Sequence, residues 1–226
     1  MINPPMNYFS HFVIDHQPGN HEYNTGLLLP DITRKNIKKF YPQKEGQVFS
    51  NHHREFLLAC LKHYESDKKF HESDFFNRYY LLLNHEINNS ELSGIVERKW
   101  FMSHIMLELL IDRVIVRRDK ELLGSFYEGL LKVDENSLRS FLKFYGMQND
   151  DDFFTFFNHF RSVQYIYNYI DNNTFMYSFN RIMMRAKVSE LTQKDSEIMI
   201  GIMLDFEQNY FSDAEVMLGE MKAIFK

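Results

Sequence analysis

The chain has one cysteine, Cys60, and one tryptophan, Trp100, among 226 residues. A lone thiol excludes an intramolecular disulfide and any zinc site built from several thiolates. Cys60 falls on the apolar face of a helical stretch and has no His/Asn relay, so it reads as a buried structural thiol. Proline is scarce and confined: Pro4, Pro5, Pro18, Pro30 and Pro42 all lie within the first 42 residues, leaving the rest free of helix breakers. The nine glycines are scattered, so no phosphate-cradling loop is present, and no Gly-x-Ser-x-Gly elbow appears. No stretch of roughly 18 residues is apolar enough to span a bilayer. Met1-Ile2-Asn3-Pro4-Pro5 lacks the basic and apolar regions of a signal peptide, so a soluble cytoplasmic protein is expected. The charges sum to −5 with both signs mixed throughout, which gives no footprint of a general nucleic-acid binder.

What is abundant is aromatic. Twenty-two Phe and thirteen Tyr, in a chain that is 44% hydrophobic, exclude disorder and supply a sizeable core. The apolar period is helical and no strand alternation is found. The expected fold is all-α, a single-domain helical bundle of roughly ten helices over residues 1–226. Short helices are expected over 6–14 and 23–29, the second stopped near Pro30-Asp31. Longer ones should cover about 48–70, 75–87 behind a Ser73-Asp74 cap, and 92–117. Further helices are expected over 121–132, from Asn136 to Gly146, and over 153–170 behind the acidic Asn149–Asp152 run. The last three are one starting at Asn172 and containing Arg181 and Arg185, one over 195–210 begun at Thr192, and one capped by Ser212-Asp213. The Phe153, Phe154, Phe156, Phe157 and Phe160 stripe reads as core. His52, His53, His85 and His159 read as structural histidines, and His16 and His21 as turn residues.

One stretch carries chemistry. His63, Asp67 and His71 are spaced i, i+4, i+8, so they share one helix face, which also holds Phe56, Cys60 and Tyr64. His104, Glu108 and Asp112 repeat the arrangement among Trp100, Phe101, Leu107, Ile111 and Ile115. On the order of one such triple is expected by chance in a chain this long, so spacing alone is weak; placement on apolar stripes adds weight. Buried ionisable groups are costly unless paired, hydrogen-bonded or bound to metal. The two faces are expected to oppose one another as a cage of imidazoles and carboxylates. Glu and His at i, i+4 differ from the Glu-x-x-His pairs of ferritin-like di-iron bundles.

Met6-Asn7-Tyr8-Phe9-Ser10-His11 resembles the Met-Asn-aromatic-x-x-His opening of the bacterial acyl carrier protein phosphodiesterases. Gly26-Leu27-Leu28-Leu29-Pro30-Asp31-Ile32-Thr33-Arg34 is similar to that family's Gly-x-Leu-Leu-x-Asp-x-x-Arg segment, and His63-x-x-x-Asp67 to its His-x-x-x-Asp element. His104 matches a histidine on a later helix, and Tyr169 to Arg185 is similar to a segment ending in paired basic residues. The chain departs from the family at His71, where an Asp of a Thr-Asp pair is usual, and at Ser103, where an Asp would precede His104. The resemblance implies an all-α fold related to HD-type metal phosphohydrolases and hydrolytic release of 4′-phosphopantetheine from holo acyl carrier protein. It also implies a divalent metal such as manganese.

Residue chemistry runs the same way. A phosphodiester needs its charge offset and a water made nucleophilic, and a divalent ion does both. Imidazole and carboxylate ligands without thiolate suit manganese, iron, zinc or magnesium. The expected metal ligands are His11, Asp31, His63, Asp67, His71, His104, Glu108 and Asp112, with Asp31 also catalytic and Arg34 clamping a phosphate oxygen. An acidic carrier protein would need a basic patch, for which Lys35, Lys38, Lys39, Arg181 and Arg185 are the candidates. The alternatives are a metal phosphoesterase acting on a nucleotide or phospholipid head group, and a non-catalytic helical binding protein.

Overall fold

A computed structural model describes residues 8–42, 50–93 and 98–225. Among them the fold is all-α: twelve α-helices and one 3-10 helix, with no strand. Ten of the thirteen have seven residues or more. None of the described helices is long and apolar enough to cross a membrane.

The described residues form two compact units, each drawn from separate parts of the chain. The first comprises Tyr8–Lys68 and Lys120–Tyr165; the second comprises Lys69–Asp119 and the described part of Ile166–Lys226.

In the first unit, α1 (Tyr8–Asp15), α2 (His21–Gly26) and α3 (Leu29–Ile32) precede most of α4 (Asn51–Glu72). The chain returns as α7 (Lys120–Lys132), α8 (Glu135–Phe144) and α9 (Asp151–Val163). Its core is aromatic: Phe126 meets Phe9 and Phe12 edge-on at 5.6 and 5.2 Å, and Phe141 stacks on Phe40 at 5.5 Å. Phe153, Phe154, Phe157 and Phe160 are buried as expected of a core stripe. Pro30 does not stop a helix as expected; it lies in the first turn of α3, where its missing N–H costs nothing. The expected single helix over 153–170 also breaks. Gln164 adopts the left-handed conformation (φ 54°) and closes α9, and Tyr165–Ile170 continues as the 3-10 helix. His85 and His159, expected to be structural histidines, are both exposed.

The second unit is built on α5 (Asp74–Asn89) and α6 (Lys99–Arg118), with α10 (Asn172–Arg185), α11 (Gln193–Tyr210) and α12 (Ala214–Ala223) packed against one or both. α6 is buried all round from Phe101 to Val116 apart from His104, as a central helix must be. Trp100 departs from the stripe assigned to it: it is 53% exposed, in the first turn of α6. That helix starts at Lys99, later than the expected start near Leu92. Leu92 and Ser93 are non-helical, and 94–97 lie outside the described residues, as do the expected loop at Gln43–Gly46, the expected helix start at Val48, and Met6 and Asn7.

Helix starts follow the sequence closely because capping is local. Ser73, Asp134, Asp171, Thr192 and Asp213 each accept a backbone N–H with the side chain. Asp195 does more: besides closing a capping box with Thr192, its carboxylate accepts from the Ser93 backbone N–H (2.8 Å) and hydroxyl (2.9 Å). The Ser93 N–H and the Thr192 hydroxyl lead a set of donors that hold its pKa down from 3.8 to about 2. A carboxyl depressed in the folded state adds stability above its unfolded pKa and loses it as pH falls through the folded one. The parent should therefore lose about 1–2 kcal/mol between pH 4 and pH 2 that an Asp195→Asn variant does not lose. Urea unfolding at a series of pH values measures the difference; parallel curves would dismiss the effect.

Candidate metal centres

In the first unit, the site begins with a close approach. Gly26 ends α2 directly against α4: a Cβ there would stand 2.7 Å from both the Phe56 carbonyl oxygen and the Ala59 Cβ. Only glycine permits this seat. The fully buried Cys60 thiol donates to the Gly26 carbonyl (3.4 Å), and burial pushes that thiol well above its usual pKa, as expected of a structural cysteine. The next carbonyl along, that of Leu27, is thereby brought 2.8 Å from His63 Nδ1. A carbonyl only accepts, so Nδ1 carries the proton and Nε2 turns to Asp31, whose Oδ1 lies 3.4 Å away. His11, wholly buried on α1, stacks on the His63 ring with centroids 3.9 Å apart. α1 is fastened to α4 one turn further on, where Ser66 Oγ donates to Asp15 Oδ2 at 2.5 Å.

One ligand atom from each of His11, Asp31 and His63 lies within 4.8 Å of the others. Burial alone would lower the His63 pKa. The charge and hydrogen bond of Asp31, the charge of Asp67 one turn along, and the Leu27 carbonyl outweigh it and hold the imidazole above its ordinary value. Two imidazoles and a carboxylate, one imidazole oriented by a backbone carbonyl, are a donor set suited to a first-row divalent ion.

The second unit holds another group. His71, at the end of α4, and His104 and Glu108, on α6, bring three ligand atoms together: Nε2 to Nε2 is 2.9 Å, and Glu108 Oε1 is 3.2 Å from His71 and 2.8 Å from His104. Phe76 meets both imidazoles edge-on at 4.8 and 4.9 Å. Asp112, fully buried, lies one turn beyond Glu108.

No family model, curated protein or solved structure matches this chain. Its chemistry is therefore read from these residues. Six of the eight expected ligands come together, in two groups rather than the one cage expected, one group in each unit; Asp67 and Asp112 belong to neither group among the described residues. His63 is grouped with His11 and Asp31, with Asp67 close enough to act on its charge; His71 is grouped with His104 and Glu108. Arg34, Lys35, Lys38 and Lys39 are exposed after α3, Lys39 with its ammonium 5.6 Å from the centre of the Tyr64 ring. Arg181 and Arg185 are exposed on α10. Of the remaining histidines, His52 pairs with Glu22 at 2.9 Å and His16 bonds the Phe12 carbonyl at 2.9 Å.

Sequence reasoning gave no role to Gly26, the Leu27 carbonyl or Phe76. The Leu27 carbonyl leaves no side-chain signal at all, whereas a glycine closing a helix ahead of an apolar run was a usable one. Gly26→Ala is expected to destabilise the protein by about 1–3 kcal/mol, because backbone must shift to admit the methyl group. The same shift should withdraw the Leu27 carbonyl from His63, moving the His63 Nδ1–H resonance in NMR spectra. An unshifted resonance and unchanged stability would show that α4 yields at no cost.

Proposed function

We propose that the chain is a metal-dependent phosphodiester hydrolase of the acyl carrier protein phosphodiesterase type, with His11, Asp31 and His63 holding the divalent ion. The observation that carries this reading is the convergence of those three buried side chains, with His63 Nδ1 committed to the Leu27 carbonyl and its Nε2 aimed at Asp31. Manganese suits the set, as do iron, zinc and magnesium. When bound, such an ion supplies Lewis acidity and lowers the pKa of a coordinated water.

The chain's own residues do the remainder. The Leu27 carbonyl fixes the His63 tautomer, so the Nε2 lone pair is presented without reorganisation. Asp31 contributes the anionic donor, and Arg34, three residues on and exposed, binds a non-bridging phosphate oxygen. Lys35, Lys38 and Lys39 orient an acidic carrier protein beside Arg34. The net charge of −5 favours, as a second reading, a small phosphodiester that needs no docking surface.

Metal-loaded protein incubated with holo acyl carrier protein should yield the apo form and free 4′-phosphopantetheine by mass spectrometry. A Lys38→Glu, Lys39→Glu variant should associate several-fold more slowly at low salt, with the difference closing as ionic strength rises. Turnover of bis(4-nitrophenyl) phosphate but not of the carrier protein would select the small-substrate reading. Metal uptake with turnover of neither would reject hydrolysis and leave a binding protein.

A further inference from the structure

We infer that His71, His104 and Glu108 form a metal site in their own right, taking a six-coordinate divalent transition-metal ion such as Fe(II) or Mn(II). The inference stands independently of the His11, Asp31 and His63 group. Its basis is the triangle of ligand atoms at 2.8, 2.9 and 3.2 Å.

These three approaches cannot all be linear hydrogen bonds, because no single Nε2 axis points at two corners of the triangle. An imidazole Nε2 has one in-plane direction, occupied either by a proton or by a lone pair. With both rings protonated at Nε2, each donates to Glu108 but the two N–H groups then confront one another across 2.9 Å. With one ring protonated, its N–H can be aligned with the other imidazole or with the carboxylate but not with both, and one approach is left misdirected. A cation at the centre uses all three lone pairs together.

The lengths select the geometry. At metal–ligand distances of about 2.1 Å, donors at right angles stand about 3.0 Å apart and tetrahedral donors about 3.4 Å apart. The observed 2.8–3.2 Å corresponds to three adjacent corners of an octahedron. Two imidazoles and one carboxylate so arranged favour iron or manganese over calcium, whose ligands are oxygens, and over tetrahedral zinc. The edge of Phe76 against both rings restricts their rotation, so the arrangement is built in advance of binding. The His71 and His104 side chains are each 12% exposed, so solvent reaches the edge of the group and water would complete the shell.

The test uses the full chain, stripped with chelator and titrated anaerobically with Co(II), a spectroscopic stand-in for both ions. Bound cobalt is counted after desalting, and its visible spectrum distinguishes weak six-coordinate bands from intense four-coordinate ones. The variants are His71→Asn, Glu108→Gln and His63→Asn, with folding followed by circular dichroism. The parent should bind one more equivalent than His71→Asn or Glu108→Gln, and the difference spectrum should be six-coordinate. Since Glu108 is buried, loss of fold in that variant leaves His71→Asn, at the less buried end of α4, to decide. Unchanged cobalt content in His71→Asn, an intense four-coordinate difference spectrum, or a single equivalent removed equally by His71→Asn and His63→Asn would each overturn the inference. One equivalent removed by His71→Asn and untouched by His63→Asn would uphold it while rejecting metal at His11, Asp31 and His63.

Discussion

For the proposed hydrolase, Asp31→Ala is expected to abolish phosphodiester hydrolysis, lowering kcat by roughly a thousandfold or more, about 4 kcal/mol of transition-state stabilisation. The carboxylate is the only anionic donor of its group, 3.4 Å from His63 Nε2, and two neutral imidazoles alone neutralise none of a divalent charge. The fold should survive, since α3 is a four-residue turn whose buried anchors are Leu29 and Pro30 rather than Asp31. A second readout separates this role from a structural one. In metal-free protein, burial is the strongest influence on His63, and Asp31 heads the groups that overcome it. Removing Asp31 should therefore drop the His63 pKa from above its ordinary value towards or below it, seen by NMR titration. Full activity in the variant would remove Asp31 from the mechanism. A His63 that titrated unchanged would mean that the two side chains do not interact in solution.

The largest effect on stability is expected at Glu207. Arg113 is 0% exposed in the middle of α6, an arrangement tolerated because each of its three guanidinium nitrogens donates a hydrogen bond. Its Nε donates to Glu207 Oε1 at 2.9 Å, one terminal nitrogen to the Tyr169 carbonyl and the other to Asn172 Oδ1, each at 2.5 Å. These bonds join α6 to α11 and to the entry of α10. Burial pulls the Arg113 pKa down, against the charge of Glu207. Glu207→Ala leaves that cation buried without its counter-charge, and Arg117, whose side chain also reaches Glu207, adds like-sign repulsion. Destabilisation of about 3–5 kcal/mol is expected, lowering Tm by roughly 10 °C or more. The double variant Arg113→Met, Glu207→Leu should be less destabilised than the sum of its single changes, because no charge remains stranded. Additive losses in a double-mutant cycle would show that the pair is not coupled.

Sequence alone determined what depends on near neighbours. Helix starts at Ser73, Thr192 and Asp213 were legible because a cap bonds within three residues of itself, and the all-α class followed from apolar period and confined proline. The same locality explains the errors. Pro30 and Gln164 each satisfy more than one local rule, and packing chose between a stop and a start at Pro30, and between continuation and a left-handed break at Gln164. Sequence also marked His63 and His104 as ionisable groups on apolar stripes, with Arg113 passing unnoticed because a lone Arg carries no spacing signal.

Tertiary structure alone decided which side chains meet. Positions i, i+4 and i+8 share a helix face but extend about 12 Å along its axis, so one stripe can feed two groups. His63 finds His11 and Asp31 because Gly26 lets the α2–α3 segment close on α4; His71, on the last turn of α4, finds His104 and Glu108 on α6 within the second unit. Backbone hydrogen bonds and caps act over a few residues and are written in local sequence. Convergence of side chains far apart in the chain is fixed by how closely backbones approach, and that depends on the whole of the packed core.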